Sequence, residues 1–207
     1  LRERKQLTSG TTWHAAGLIA QLRATQNMTR LAKYSQELYG ALEQETGVAT
    51  GFRCNGSITM ALTEERREEI LRQASMARAF GVDVAEIGAD EVRKLYPHAH
   101  VADMTAAVYL EKDGQGDPAN IALAMARGAK DRGARILERT KVTGFVKKDR
   151  RITGVHWQNS EGRGTIACDH VVNCAGMWGH QVGRDMGINV PLQACEHFYI
   201  VTDTIPG

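Results

Sequence analysis

Nowhere in its 207 residues does the sequence contain a GxGxxG turn, a CxxC pair or a spacing of cysteines and histidines that would ligate a metal. No run approaches the ~18 unbroken apolar residues that a membrane helix needs, and no signal-peptide pattern is present, so a soluble chain is expected. The four cysteines, Cys54, Cys168, Cys174 and Cys195, stand apart from one another. They read as free thiols in a reducing compartment rather than as a disulfide framework. Net charge is also scarce: 26 Lys and Arg against 24 Asp and Glu leave +2, with no dense basic run. Nothing electrostatic therefore asks for nucleic acid. Lys147, Lys148, Arg150 and Arg151 read as a solvated hairpin tip. With 43% hydrophobic and 24% charged residues the composition is that of a globular protein able to bury a core. Both ends, Leu1 and Pro206-Gly207, read as cuts in a longer sequence.

What is present divides into helices first and strands later. Leu31, Tyr34, Leu38 and Leu42 recur at helical spacing within Arg30 to Glu45, and Gly47 supplies a stop. GSITMAL, from Gly56, is a strand with Ile58 and Met60 on one face. Thr63 caps a helix with Glu64 and Glu65 in its first turn, a buried stripe of Ile70, Ala74, Ala77 and Phe80, and Gly81 at its end. VDVAEI reads as a strand, ADEVRKLYP as a short helix and AAVYLEK as another strand. Asp117 and Pro118 open a further helix as cap and first helical residue. Thereafter ARILERTKVTGFVKK, RITGVHWQN, GTIACDHVVNCAG and HFYIVTD read as strands joined by Gly- and charge-rich turns. The order argues for a mixed α/β chain with an antiparallel part.

Two segments carry chemistry. TSGTTWHAAGL, from Thr8 to Leu18, packs hydroxyls, glycines, a tryptophan and a histidine into eleven residues without a charge. It makes a poor surface loop and a poor core strand, and reads as a surface for something bulky and partly polar. In DHVVNCAGMWG, Val171 and Val172 read as a buried strand that leaves its sheet through the small residues Asn173, Cys174, Ala175 and Gly176. Ligands of open α/β sheets sit at such carboxyl ends, where small side chains let backbone N–H groups approach a phosphate or a ring. A tight turn with no ligand is the alternative. Glu3 stands where the acid that holds a ribose follows a dinucleotide-binding glycine turn by about 20 residues, if that turn lies upstream of Leu1; taken alone it reads as a surface charge.

Together, LRERKQLTSGTTWHAAGL, DGQGDP, KVTGF, VVNCAGMWG and PLQACEHFYIVTDTIPG resemble, over essentially the whole chain, the sarcosine and dimethylglycine dehydrogenase family of D-amino-acid-oxidase-like flavoproteins. The resemblance implies a fold in which an FAD-binding, Rossmann-like α/β domain is interleaved with an antiparallel-sheet (α+β) substrate domain. Residues 1–45 and 113–188 would form the FAD-binding part, and residues 46–112 and 189–207 the substrate part. Glu3 would hold the adenosine ribose. Ser9, Gly10, Thr11 and Thr12 would face the phosphate and ribityl chain, and His14 would be covalently bonded to the flavin 8α-methyl, a bond a neutral imidazole nitrogen can form. Ala15, Ala16 and Gly17 would be small because the ring lies against them. Val142 would meet the adenine through its backbone, and Cys174, Ala175, Gly176 and Trp178 would form a second flavin-contacting turn. His197 and Tyr199, which alternate along a strand, would present polar groups on the substrate side as catalytic residues. Packing against a sheet neighbour is the other reading of these two.

The implied reaction is oxidative N-demethylation of a small N-methyl amino acid, in which hydride leaves the N-methyl carbon. The amine reacts when neutral, so a nearby base or a desolvated pocket would assist. Arg23 is a candidate partner for the substrate carboxylate, against a reading as a surface arginine whose stem lies on apolar groups. The resemblance also implies an electron-transfer flavoprotein as acceptor, tetrahydrofolate at a region outside this chain, and a bacterial cytoplasmic or mitochondrial matrix location. Two alternatives stand beside it. One is a catalytically silent relative like the regulatory subunit of pyruvate dehydrogenase phosphatase; the other is an amino-acid oxidase that passes electrons to oxygen. His98, His100, His156, His170 and His180 read as surface or structural residues.

Overall fold

The computed structural model describes residues 1–198 and 200–205, and the chain divides into two compact units. Residues 1–7 join the segment from Ala134 onward in one unit, and Thr8–Gly133 form the other.

The Thr8–Gly133 unit is built from helices and short antiparallel ladders. A 3-10 turn, Thr11–His14, precedes β1 (Leu18–Ile19), α1 (Gln26–Thr46), β2 (Ser57–Ala61), α2 (Glu64–Ala79), β3 (Ala85–Ile87), α3 (Ala89–Leu95), β4 (Ala106–Leu110), β5 (Gly114–Gln115) and α4 (Pro118–Asp131). Strands β2, β4 and β3 pair in that order, all antiparallel, with Met60 opposite Ala107 and Ala61 opposite Ala106. Alternation along the strands separates the two faces. Ala61, Val108 and Leu110 pack with Ile70, Ala74 and Ala77 of α2, whereas Ala107 packs with Val92 of α3, Ile58 and Met60. Complete burial of Ile70 stabilises this layer by about 1.5–3 kcal/mol. A separate cluster joins Leu42 of α1 to Ile121 and Ala124 of α4.

Local chemistry sets the helix ends. Thr63 accepts from the Arg66 N–H, Asp117 accepts from the Asn120 N–H, and Pro118 occupies the first turn of α4. Helix α1 begins at Gln26, one turn earlier than its apolar spacing indicates, because Thr25 caps it by accepting from the Met28 N–H. Its apolar stripe is only partly used: Leu42 is buried and Leu38 packs on the α1–α4 cluster, while Leu31 and Tyr34 are 59% and 62% exposed.

In the other unit, β6 (Lys141–Lys148), β7 (Arg151–Asn159) and β8 (Gly162–Ala167) form an antiparallel meander, followed by a 3-10 turn, Gly176–Trp178, and α5 (Gly179–Asp185). Asp149 and Arg150, both at positive φ, make the tight β6–β7 turn, so the basic tip is a hairpin as expected. Residues 1–5 run beside residues 135–140, with the Glu3 N–H donating to the Leu137 carbonyl at 2.9 Å and the Thr140 N–H donating to the Glu3 carbonyl at 2.8 Å.

Two expected strands are absent among the described residues. Val171 and Val172 lie outside every ladder and Val172 is 80% exposed; residues 197–198 and 200–203 likewise lie outside every strand, with Phe198 and Ile200 about nine-tenths exposed. Both carry strand-type side chains, but no neighbouring strand among the described residues offers N–H and C=O groups to pair with. β-propensity without a ladder partner does not make a strand.

Candidate cofactor-binding segments

The expected cofactor residues fall in both units, and each group has its own geometry. In the Thr8–Gly133 unit, Thr8 sits at φ 66°, an uncommon conformation for a β-branched residue, and turns the chain into the 3-10 turn. Gly10 precedes that turn with no side-chain cap, and a Cβ built on it would meet no atom within 4 Å. Ser9, Thr11, Trp13, His14, Ala15 and Ala16 are exposed, and Thr12 and Gly17 are half-buried. The His14 imidazole lies against the Trp13 indole, ring centroids 3.8 Å apart and tilted by 34°. Its rotamer is thereby limited by a neighbour while its edge stays accessible.

Behind the turn the backbone is clasped. β1 pairs antiparallel with β5, Leu18 opposite Gln115 and Ile19 opposite Gly114, and the Gly116 N–H donates to the Gly17 carbonyl at 3.0 Å. Gly17 has φ +76°, and a Cβ there would stand 2.2 Å from the Gly116 oxygen. Both the conformation and the close approach require glycine. The small size of Gly17 thus has a cause inside the chain, beside any cofactor. Arg23 is exposed; its backbone N–H donates to Thr29 Oγ1 and its guanidinium to the Leu22 carbonyl, both at 3.0 Å.

In the other unit, Glu3 Oε1 accepts from the Lys5 N–H at 2.8 Å, which turns the half-buried carboxylate back along its own segment. Val142 stands opposite Trp157 in the β6–β7 ladder beside a bulge. The Arg2 guanidinium lies 5.7 Å from the Trp157 ring, where burial and the neighbouring Arg135 push its pKa down from the ordinary arginine value. The Arg4 guanidinium covers the Trp178 ring at 3.9 Å. These contacts draw the Glu3 segment, the strand of Val142 and the Cys174–Trp178 turn together. Asn173 shapes that turn: its Oδ1 accepts from the Ala175 N–H at 3.2 Å and its Nδ2 donates to the Gly179 carbonyl at 2.9 Å. Cys174 and Gly176 are exposed, Ala175 is half-buried, and Gly176, at φ +55°, has open space where a Cβ would stand. His197 is exposed, and Tyr199 lies outside the described residues.

Arg4 and Asp113 received no role from sequence, and Asn173 reads there only as a small residue of the strand exit. Arg4 and Asn173 act through contacts that only the folded chain creates. Asp113 lies in the DGQGDP stretch, yet nothing in that pattern tells a buried aspartate from a turn residue.

The chemistry of these residues fits FAD. Uncharged hydroxyls, an open glycine at Gly10 and an accessible imidazole occur in one unit, and a half-buried carboxylate at Glu3 with a small-residue turn in the other. Comparison with known proteins decides the family. All of residues 1–207 match the family model "DAO: FAD dependent oxidoreductase". The chain belongs to this family. It is 41% identical over its whole length to human mitochondrial sarcosine dehydrogenase, and 36% identical over 98% of its length to the mouse mitochondrial pyruvate dehydrogenase phosphatase regulatory subunit. It spans 23% of each of those proteins. Among solved structures, L-proline dehydrogenase from P. horikoshii superposes with a TM-score of 0.82 at 28% identity, over 90% of this chain and 48% of the other. The interleaved α/β architecture of an FAD-binding oxidoreductase is therefore the fold of this chain.

Proposed function

We propose that the protein to which this chain belongs oxidises the C–N bond of a small N-methyl amino acid, of the sarcosine or dimethylglycine type, with FAD attached through His14. One observation carries the reading: in a DAO-family chain, an accessible imidazole stands on an uncharged turn flanked by hydroxyls and glycines. The 41% identity to a sarcosine dehydrogenase supports the substrate class.

In this reading Ser9, Gly10, Thr11 and Thr12 hold the phosphate and ribityl portion, and His14 anchors the ring, with Ala15, Ala16 and Gly17 beneath it. Glu3 would hold the adenosine ribose, Val142 would meet the adenine through its backbone, and Cys174, Ala175, Gly176 and Trp178 would form a second flavin-contacting turn. FAD, when bound, supplies the two-electron acceptor. His197 and Tyr199 orient the substrate or hold its amine neutral, and Arg23 pairs with its carboxylate. Residues 1–45 with 113–188 serve the cofactor, and residues 46–112 with 189–207 the substrate. An electron-transfer flavoprotein and tetrahydrofolate are the partners of the longer protein, which works in a mitochondrial matrix or a bacterial cytoplasm. No helix among the described residues is long and apolar enough to cross a membrane.

The test uses the full-length protein. It is denatured in acid and run on a gel, and flavin fluorescence that stays with the polypeptide is compared between wild type and His14→Ala. Fluorescence present in the first and lost in the second is expected. A wild type that retains none, after expression with FAD, removes the attachment. Because the chain is 36% identical to a regulatory subunit, a silent FAD-binding homologue is the second reading. Turnover of sarcosine or dimethylglycine separates the two, and hydrogen peroxide release would identify an oxidase.

A further inference from the structure

One buried carboxyl group has no part in that reading, and it sits at the base of the His14 segment. Asp113 is 2% exposed, as is Gln21, its principal partner. Asp113 Oδ1 accepts from the Gln21 backbone N–H at 2.9 Å and from Gln21 Nε2 at 3.4 Å, and Oδ2 accepts from the Ser57 hydroxyl at 2.7 Å. Its carbonyl accepts from the Gly56 N–H at 2.8 Å. The three donors to its carboxyl group are neutral, and a buried oxygen that loses its donors is left unmet.

From Asp113 the chain continues directly into the clasp. Gly114 pairs with Ile19, Gln115 with Leu18, and Gly116 bonds to Gly17. Four successive residues on one side thus hold Gln21, Ile19, Leu18 and Gly17 on the other. On its far side the same strand bonds Arg53, through Gln115, at 2.8 and 3.0 Å. A Cβ on Gly114 would meet the Arg53 oxygen at 2.1 Å, so the strand is wedged between two backbones. The Thr11–His14 turn, in contrast, has no side-chain cap and buries no residue. Its C-terminal side leads into the clasp, with His14 three residues before Gly17, and α4 packs beside it.

We propose that Asp113 is a positioning residue for His14: its buried carboxyl pins Gln21 to Ser57 and so fixes the register of the clasp from which the Thr11–His14 turn projects. The inference rests on the reading of His14 as the flavin attachment residue. A two-residue ladder slips easily, and one residue of slip would reverse the faces of Leu18 and Ile19. The Asp113 bonds to Gln21 and Ser57 remove that freedom.

The experiment compares wild type, Asp113→Ala and Asp113→Asn in the full-length protein expressed with FAD. It reads amide hydrogen exchange across residues 17–21 against the β2–β4 ladder, and covalently retained flavin per folded polypeptide. Asp113→Ala should raise exchange in residues 17–21 by about tenfold or more relative to the ladder and lower retained flavin severalfold. Asp113→Asn keeps an acceptor for the Gln21 N–H and should restore most of both. A purely structural role would change the yield of folded protein but not the flavin carried by each folded chain. If Asp113→Ala does not fold, Gln21→Ala and Ser57→Ala each remove one donor and should show the same pattern more weakly. Selective exchange without loss of flavin, or loss of protection spread evenly over the unit, overturns the role of Asp113. A wild type without retained flavin overturns the attachment at His14 instead.

Discussion

The Arg4 guanidinium lies over the Trp178 ring at 3.9 Å, joining residues separated by most of the chain. With the ring 41% exposed, the stacking contributes about 0.5–1 kcal/mol. Arg4→Ala should lower stability by that amount, and a double-mutant cycle with Trp178→Leu in urea denaturation should recover it as a coupling energy. A coupling indistinguishable from zero would mean the pair does not hold the turn.

Gly17→Ala should be among the most damaging single substitutions in the chain. The residue would need φ +76° and would place its Cβ 2.2 Å from the Gly116 oxygen. Backbone strain alone costs on the order of 1–3 kcal/mol, and the clash adds to it. Gly10→Ala, with open space at its Cβ, is the control, expected within about 1 kcal/mol of wild type. Thermal melts of the two variants check the difference.

Asp117 caps α4 by accepting from the Asn120 N–H at 2.9 Å. Asp117→Ala should cost about 1 kcal/mol, and Asp117→Asn, which keeps an acceptor oxygen, only a few tenths. Equal losses for the two substitutions in chemical denaturation would show that the charge, rather than the cap bond, is what stabilises the helix.

Asp83 and Lys112 are paired at 2.7 Å. The hydrogen bond and charge of Lys112 hold the Asp83 carboxyl below the usual carboxylate range, and Asp83 in turn raises the Lys112 ammonium. The aspartate's contribution is therefore present above its unfolded pKa and lost as pH falls through the depressed folded one. That of the lysine is present below its unfolded pKa and lost as pH rises through the raised one. Both groups are exposed, so salt should weaken the pair. An NMR titration should show the Asp83 midpoint moving up in Lys112→Met; an unchanged midpoint would remove the pairing in solution.

Local sequence determined what depends on neighbours along the chain. The caps at Thr63 and Asp117, the stripe of Ile70, Ala74 and Ala77, the stop at Gly81 and the basic hairpin tip are each set by residues within a turn or two and stand as their patterns indicate. Phe80, expected in that stripe, is only half-buried at the C-cap. The family was also legible, because the resemblance carried by the Thr8–Leu18 segment and the later motifs agrees with a family model that matches residues 1–207. Tertiary structure decided what depends on distant partners. Val171, Val172 and the described residues of the His197 segment are of strand type but form no ladder among the described residues, since pairing requires a second strand at the right distance. Leu31 and Tyr34 keep helical spacing yet face outward because the α1–α4 contact engages only the lower part of their stripe. Asp113 looks like any loop aspartate until folding brings Gln21, 92 positions away, and Ser57, 56 positions away, to its two oxygens. Burial of a polar group becomes tolerable only when its partners arrive from elsewhere, and that convergence is a property of the fold.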